Sequence, residues 1–376
     1  MHGTGTQQEI PSKKENNLQL ESRLYIIRYK QKKDITMKLL ERIQSLKTWI
    51  MLLLAAGTFT SCNVLTEEEV DCAVYVSFKY DMNMKFADAF ANSVKSVTLY
   101  AFDKDGKLAF QKTEEGSLLA EEGYAMRLDE IRRGEQDKYD FITWAGLANN
   151  PSFSVPLLQA GISTKEDLYC QLKRAEGGVV NEDLEALFHG QKNSMSFSRG
   201  VSEKVVIPLT KNTNNIRIVL QHLSGKPVEA DKFHFSITDK NGLMNYDNSI
   251  LLDETLIYQA WRKDQGSASL GDPSLGNDQG NTLNVAIAEL TVGRLMADME
   301  PILTITNEEG EKVLSIPLVD YALMVKGYYN REMSDQEYLD RQDEYNMTFF
   351  LDEKGYWLKS RILINGWAIV RDEIGL

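Results

Sequence analysis

A two-residue alternation of apolar and polar side chains, cut at short intervals by polar turns, constrains this chain more than any other feature. Val74, Val76, Phe78 and Tyr80 fall on one side of an extended segment, and Tyr75, Ser77 and Lys79 on the other. That period belongs to a half-buried strand, because successive side chains of a strand point to opposite faces. Val97, Leu99 and Ala101 alternate with Thr98, Tyr100 and Phe102, and the segment runs into Asp103-Lys104-Asp105-Gly106. The device returns where Phe233, Phe235 and Ile237 lead to Asp239-Lys240-Asn241-Gly242. It returns again where Leu303 and Ile305 lead to Asn307-Glu308-Glu309-Gly310, followed by an apolar run at residues 313–318. Asp or Asn ahead of Gly supplies the positive backbone angles that hairpin turns require. Further strands are expected at residues 139–147, 205–209, 216–220, 284–287, 345–351 and 361–370. Many short strands separated by polar turns indicate an all-β chain built of β-sandwiches.

Helices are expected to be few and short. Ser163-Thr164-Lys165-Glu166 spells a capping box, after which Leu168 and Leu172 fall on one helical face. Ser334-Asp335-Gln336-Glu337 is a second, ahead of Tyr338 and Leu339. Residues 263–281 are rich in Gly, Ser and Asp and read as a long exposed loop. A boundary near residues 210–214 gives two tandem sandwich domains, 72–210 and 211–376.

The start of the chain reads differently. Lys38, Arg42 and Lys47 precede an apolar run at residues 49–59, then come Thr60, Ser61 and Cys62. Basic, apolar and small residues in that order form an export signal. The run is shorter than the roughly 20 apolar residues that span a bilayer, so it reads as a segment to be removed. Small residues ahead of a cysteine resemble a bacterial lipobox, in which the thiol is acylated and the chain is cut just before it. Phe59 stands three residues before Cys62, where the common pattern has Leu. The alternative is an ordinary signal peptide cut within residues 55–61, leaving Cys62 an incidental thiol. Met37 opens the signal, so residues 1–36 are expected to be an upstream extension, 37–61 the signal and 62–71 a tether. The tether carries Glu67-Glu68-Glu69, which reads equally as a solvated spacer or as an outer-surface export address.

Charge narrows the partners. Residues 1–61 hold ten Lys or Arg against five Asp or Glu, so the remainder carries −18 of the chain's total of −13. Nucleic-acid binders present basic stripes, so no nucleic acid is expected as partner. Adsorption to anionic lipid is disfavoured on the same ground. Membrane contact is then left to acyl chains, each buried methylene contributing about 0.8 kcal/mol and more than one chain being needed for stable attachment. A lipidated Cys62 leaves Cys72 and Cys170. An oxidising compartment permits them to pair, and two buried thiols are the favoured expectation.

Catalytic constellations are missing from the pattern. A Ser or Cys nucleophile needs a histidine in reach, and beyond His2 there are His189, His222 and His234. His234 falls on the polar side of its strand. Asp81-Met82-Asn83 begins like a calcium loop, but Phe86 stands where Gly is required and Asn92 where Glu is. No enzyme activity, metal or cofactor is expected. Trp144, Trp261, Trp357 and Trp367, in or beside strands, are expected in the core. A rival reading, a surface glycan-binding lipoprotein, requires Trp261 and Trp357 to be exposed in one patch. A second rival, a hydrolase with an acidic pair, requires two facing carboxylates in a cleft.

Three stretches resemble the Mfa2/FimB family of fimbrial anchor proteins from Bacteroidales. They are CAVYVSFKYDMNMKFADAF at residues 72–90, VTLYAFDKDGK at 97–107, and EYLDRQDEYNMTFFLD at 337–352, followed by Ile364-Asn365-Gly366-Trp367. The resemblance implies two transthyretin-like or immunoglobulin-like β-sandwiches. It also implies a lipidated subunit at the base of a surface fimbria, tied to the outer membrane through Cys62, contacting a fimbrial stalk subunit and limiting filament growth. Mass spectrometry of the mature N-terminus is expected to find residue 62 first and its thiol and amine acylated. An unmodified terminus within residues 55–61 contradicts the lipid reading.

Overall fold

The computed structural model describes residues 73–134, 136–270, 281–327 and 330–370. Alternating branched and aromatic residues form the strands β1 (Val74–Lys79), β2 (Ser96–Asp103), β3 (Leu108–Glu115), β4 (Met126–Leu128), β5 (Lys138–Ala145), β6 (Phe153–Ser154), β7 (Tyr169–Leu172), β8 (Val179–Val180), β9 (Phe188–Ser196), β10 (Glu203–Pro208) and β11 (Thr210–Lys211). They continue with β12 (Thr213–His222), β13 (Phe233–Asp239), β14 (Leu243–Asn245), β15 (Leu256–Gln259), β16 (Arg262–Leu270), β17 (Asn281–Gly293), β18 (Ile302–Asn307), β19 (Lys312–Pro317), β20 (Glu344–Leu351), β21 (Trp357–Ile364) and β22 (Trp367–Val370). Short helices are α1 (Phe90–Ser93), α2 (Leu318–Met324) and α3 (Asp335–Arg341). The fold is an all-β sandwich fold.

In the first sandwich a three-stranded sheet, β10–β1–β4, faces a five-stranded sheet, β11–β9–β5–β2–β3. β1 runs parallel to β10 and antiparallel to β4. Val74, Val76 and Phe78 of β1 and Ile207 of β10 pack against Val97, Leu99 and Ala101 of β2 and Phe141 of β5. Burying a side chain of Val, Leu or Phe size contributes about 1.5–3 kcal/mol. The other side of this sheet is also covered. Tyr100, Phe102, Ile142 and Trp144 meet Phe153, Leu168, Cys170, Leu172 and Leu187 from the segment between β5 and β9. That cover explains why both alternation registers of β2 are apolar.

The helix expected after residue 163 is a correction. A single 3₁₀ turn, Lys165–Asp167, is capped by Thr164 and Asp167. The chain then extends as β7, burying Leu168, Cys170 and Leu172. Two leucines four apart satisfy either period, and pairing of β7 with β14 and β6 decides for the strand. The capping box at Ser334 does open a helix, its Oγ accepting the Glu337 N–H at 3.0 Å.

In the second sandwich a six-stranded sheet, β16–β17–β12–β20–β21–β22, faces β19–β18–β13–β15–β8. β12 lies antiparallel to β17 and parallel to β20. Its Ile216, Ile218 and Leu220 point inward with Ala288, Leu290, Met347 and Phe349. Phe235, Ile237, Leu303 and Ile305 supply the facing wall. β8 joins this wall parallel to β15, so strands that precede residue 210 sit in ladders with strands beyond residue 240.

Turn chemistry is realised at two of the three expected hairpins. Gly106 and Gly310 take φ of 75° and 78°, and the Asp103 carboxylate accepts the Asp105 and Lys107 N–H groups. Asp239 to Gly242 forms no hairpin, because β13 pairs with β15 and β18 while the chain passes on to β14 in another sheet. The loop expected at residues 263–281 is likewise corrected. β16 and β17 pair from Arg262↔Glu289 to Leu270↔Asn281, and the part between them, 271–280, lies outside the described residues. An edge ladder is held by backbone hydrogen bonds, so polar side chains facing water do not prevent it.

Asp239 is 5% exposed at the end of β13. One carboxylate oxygen accepts the Lys240 N–H at 2.8 Å and the other has no partner. Burial pushes its pKa up to about 6, against the opposing Lys240 amide. A raised carboxyl pKa favours folding fully below the unfolded value near 3.9, and that contribution is lost as pH rises through about 6. Asp239→Asn is therefore expected to stabilise the fold by about 3 kcal/mol at pH 7.5 and to be neutral near pH 3.5. Denaturant titration at both pH values checks this.

Candidate functional site

The free edge of the six-stranded sheet is built by the last hairpin. Asn365 and Gly366 take φ of 49° and 82°, the positive pair that a two-residue turn demands. Asn365 is pinned from both sides: its Oδ1 accepts the Asn346 N–H at 2.7 Å, its Nδ2 donates to the Glu344 carbonyl at 3.2 Å, and its own N–H donates to the Asn346 carbonyl at 2.8 Å. β22 then pairs with β21 through Ile364↔Trp367 and Ile362↔Ile369. Ile362 and Ile364 are buried in the core, so Trp367 and Ile369 share their side of the sheet. Trp367 is nevertheless 64% exposed, so the sandwich does not close over this position.

No strand pairs with the far side of β22 among the described residues. An uncovered edge offers a row of unpaired N–H and C=O groups, which proteins ordinarily blunt with charge or proline. β3 carries Lys112, Glu114 and Glu115; β10 carries Glu203, Lys204 and Pro208; β16 carries Arg262, Lys263 and Asp264; β19 carries Lys312 and Pro317. Among the described edge strands of four or more residues, only β22, Trp367-Ala368-Ile369-Val370, has neither. Such an edge can accept an extended segment from another chain, with backbone hydrogen bonds giving affinity and alternate side chains giving register.

The residues singled out for other chemistry are dispersed. Cys62 and Cys72 lie outside the described residues. Cys170 is wholly buried, and burial pushes its thiol up, which makes it a packing group rather than a nucleophile. His189 is 4% exposed and lies edge-on to Trp144 at 4.7 Å. Its Nε2 donates to the Tyr246 carbonyl at 2.7 Å, since a carbonyl only accepts. Burial pushes its pKa down to about 4, so it is neutral at pH 7. His222 ends β12 and His234 is exposed on β13.

Asp81 pairs with Lys79 at 2.6 Å, and Asn83 caps the Lys85 N–H, so both serve the loop itself. Arg341 of α3 ties that loop down through the Asp81 carbonyl at 2.9 Å and lies 4.5 Å over the Phe86 ring. Among the described residues, no group of three or more His, Cys, Asp or Glu side chains converges as a metal site. Trp144 is core. Trp357 packs edge-on against Phe349 and Tyr321 on the core side of β21. Trp261 is half-buried and bonded to Thr291, whose strand neighbours Leu290 and Val292 are the ones that point inward. Trp261 and Trp357 thus form no common patch. Sequence showed an extended segment ending in Trp-Ala-Ile-Val but not that it would end a sheet; its one legible signal was the missing charge.

A family model described as fimbrillin-A associated anchor proteins Mfa1 and Mfa2 matches residues 68–373. Among solved structures, a "putative adhesin" from Bacteroides thetaiotaomicron is 34% identical, over 81% of this chain and 100% of that one, with a TM-score of 0.70. A "putative polysaccharide binding" protein from the same organism is also 34% identical, over 81% and 99%, with a TM-score of 0.69. The fimbrial anchor protein Mfa2 from Porphyromonas gingivalis is 17% identical, over 80% and 99%, with a TM-score of 0.58, a likeness of fold. No curated protein matches the chain.

Proposed function

The chain belongs to the family of fimbrillin-A associated anchor proteins, and from that premise we propose that it is the lipid-anchored base of a surface fimbria, joined to a stalk subunit by exchange of a β-strand at the β22 edge. The family is one of anchors, not of enzymes, and its members associate with surface fimbriae. The observation that carries the junction is the uncharged, proline-free edge with Trp367 uncovered on its inner side. A stalk strand laid along β22 completes the ladder and covers Trp367, and a chain so engaged at the base limits further growth.

The membrane end is Cys62. Ten residues lie between it and Ala73, where the described fold begins, and the eleven steps reach at most about 40 Å. Acylation of Cys62 holds the remainder, whose charge of −18 keeps it off an anionic lipid surface.

Two variants separate the two ends. Deleting residues 367–376 leaves Ile362 and Ile364 in place, and is expected to lower recovery of stalk subunits with this protein at least tenfold while the protein stays in the outer membrane. Cys62→Ser is expected to release the protein, with its stalk, into the medium. Stalk recovery at the wild-type level after the deletion contradicts the β22 junction. Retention of the Cys62→Ser chain in the membrane contradicts the lipid anchor.

A further inference from the structure

The outward side of the six-stranded sheet carries apolar side chains where a solvated face is ordinarily polar. Register sets Ile287, Val219, Thr348 and Leu363 abreast on β17, β12, β20 and β21. Their strand neighbours Ala288, Ile218, Met347 and Ile362 point inward. Val285, Gln221 and Phe350 form the next row along. Val219, Val285, Ile287, Phe350 and Leu363 all stand outside both hydrophobic cores. Phe350 is covered in part by the Arg361 guanidinium, 5.3 Å over its ring. The other four are half-buried, and among the described residues no strand or helix is stacked over them. Gly266 of β16 widens the stripe: a Cβ there would meet Val285 at 3.1 Å and Ile287 at 3.4 Å, so both side chains lean across it. A contiguous apolar surface of this kind marks a contact face.

Its size and charge indicate what covers it. The face spans roughly 24 Å across six strands and roughly 20 Å along them, from the Asn215 row to the Gln221 row. That footprint, roughly 500 Å² before side-chain relief is counted, approaches the roughly 800 Å² per partner of a standard stable interface. Around the stripe the two signs of charge are balanced. Arg262 pairs with Asp264 at 2.6 Å, Arg217 lies 3.8 Å from Glu289, and Arg361 and Glu344 stand on β21 and β20. The chain beyond residue 61 carries −18, so a balanced face is where two copies approach with little repulsion. A two-fold axis then sets arginines of one copy against a surface equally supplied with carboxylates.

We propose that this face pairs with the same face of a second copy of the chain. The two sheets stack roughly 10 Å apart with the Val219 rows at the centre. The free backbone groups of β22 lie in the plane of the sheet, and this contact is perpendicular to it. The pairing therefore leaves that edge open and does not rest on the anchor reading.

Sedimentation equilibrium of the full-length protein in density-matched detergent, with no other protein present, tests it. The mass of two chains is expected at micromolar concentration. Val219→Lys places like charges at the centre of the contact and is expected to raise the dissociation constant by about a hundredfold or more. Val219→Thr combined with Ile287→Thr keeps branched side chains that suit a strand, and is expected to weaken pairing roughly tenfold with the thermal midpoint unchanged. Deleting residues 367–376 is expected to leave the dimer intact, which separates face pairing from edge pairing at β22. The mass of a single chain in the wild type, a dimer untouched by both substitutions, or a dimer lost with the edge deletion overturns the proposal.

Discussion

The register of β12 is the constraint on which the larger sandwich depends. Nine of its residues pair with β17 and eight with β20, one ladder antiparallel and the other parallel. A slip of one residue would turn Ile216, Ile218 and Leu220 to water and bring Asn215 and Arg217 into the core. Three apolar side chains of that size are worth about 1.5–3 kcal/mol each, so the slip is strongly excluded. The same register is passed through β20 and β21 to β22. Core and edge are therefore two consequences of one alignment.

Parallel pairing carries a topological cost. β1 with β10 and β12 with β20 each join segments more than a hundred residues apart, and parallel neighbours need a crossover in place of a tight turn. The chain spends those residues on the remaining strands of each sandwich and on the segment that covers Tyr100, Phe102 and Trp144. Buried polar bonds fix where the parts meet. Asn212 and Asn248 exchange side-chain hydrogen bonds at 2.6 and 3.2 Å, and Arg294 grips Asp340 through two bonds at 2.8 and 2.7 Å while donating to the Asn248 carbonyl. Such groups are costly to bury unpaired, so they select one arrangement among many of similar apolar burial.

Much of the fold was legible because its strands obey local rules. The alternation at Val74–Lys79, the Asp-Lys-Asp-Gly turn and the Ser334 cap each act within a few residues, and each is found in the structure. Pairing partners were not legible, since they depend on distant segments. Asp239-Lys240-Asn241-Gly242 has hairpin chemistry yet leads to another sheet, because β15 and β18 already occupy both sides of β13. Arg262–Leu270 is polar enough for a loop and is a strand only because β17 offers it a backbone. The open edge at β22 was visible as an apolar strand, not as an edge.

What remains for the family role is the proposed division between two ends of one chain, acylation at Cys62 ahead of Ala73 and a backbone row at Trp367–Val370 that no described strand covers. In a strand, the outward N–H groups belong to alternate residues, so capture by a partner protects them in a two-residue rhythm. Amide hydrogen exchange across residues 367–370, compared between the isolated protein and the protein within assembled fimbriae, reads that rhythm directly. The account predicts slowing by at least about tenfold at alternate amides of β22 on assembly. Identical exchange in both states would contradict it.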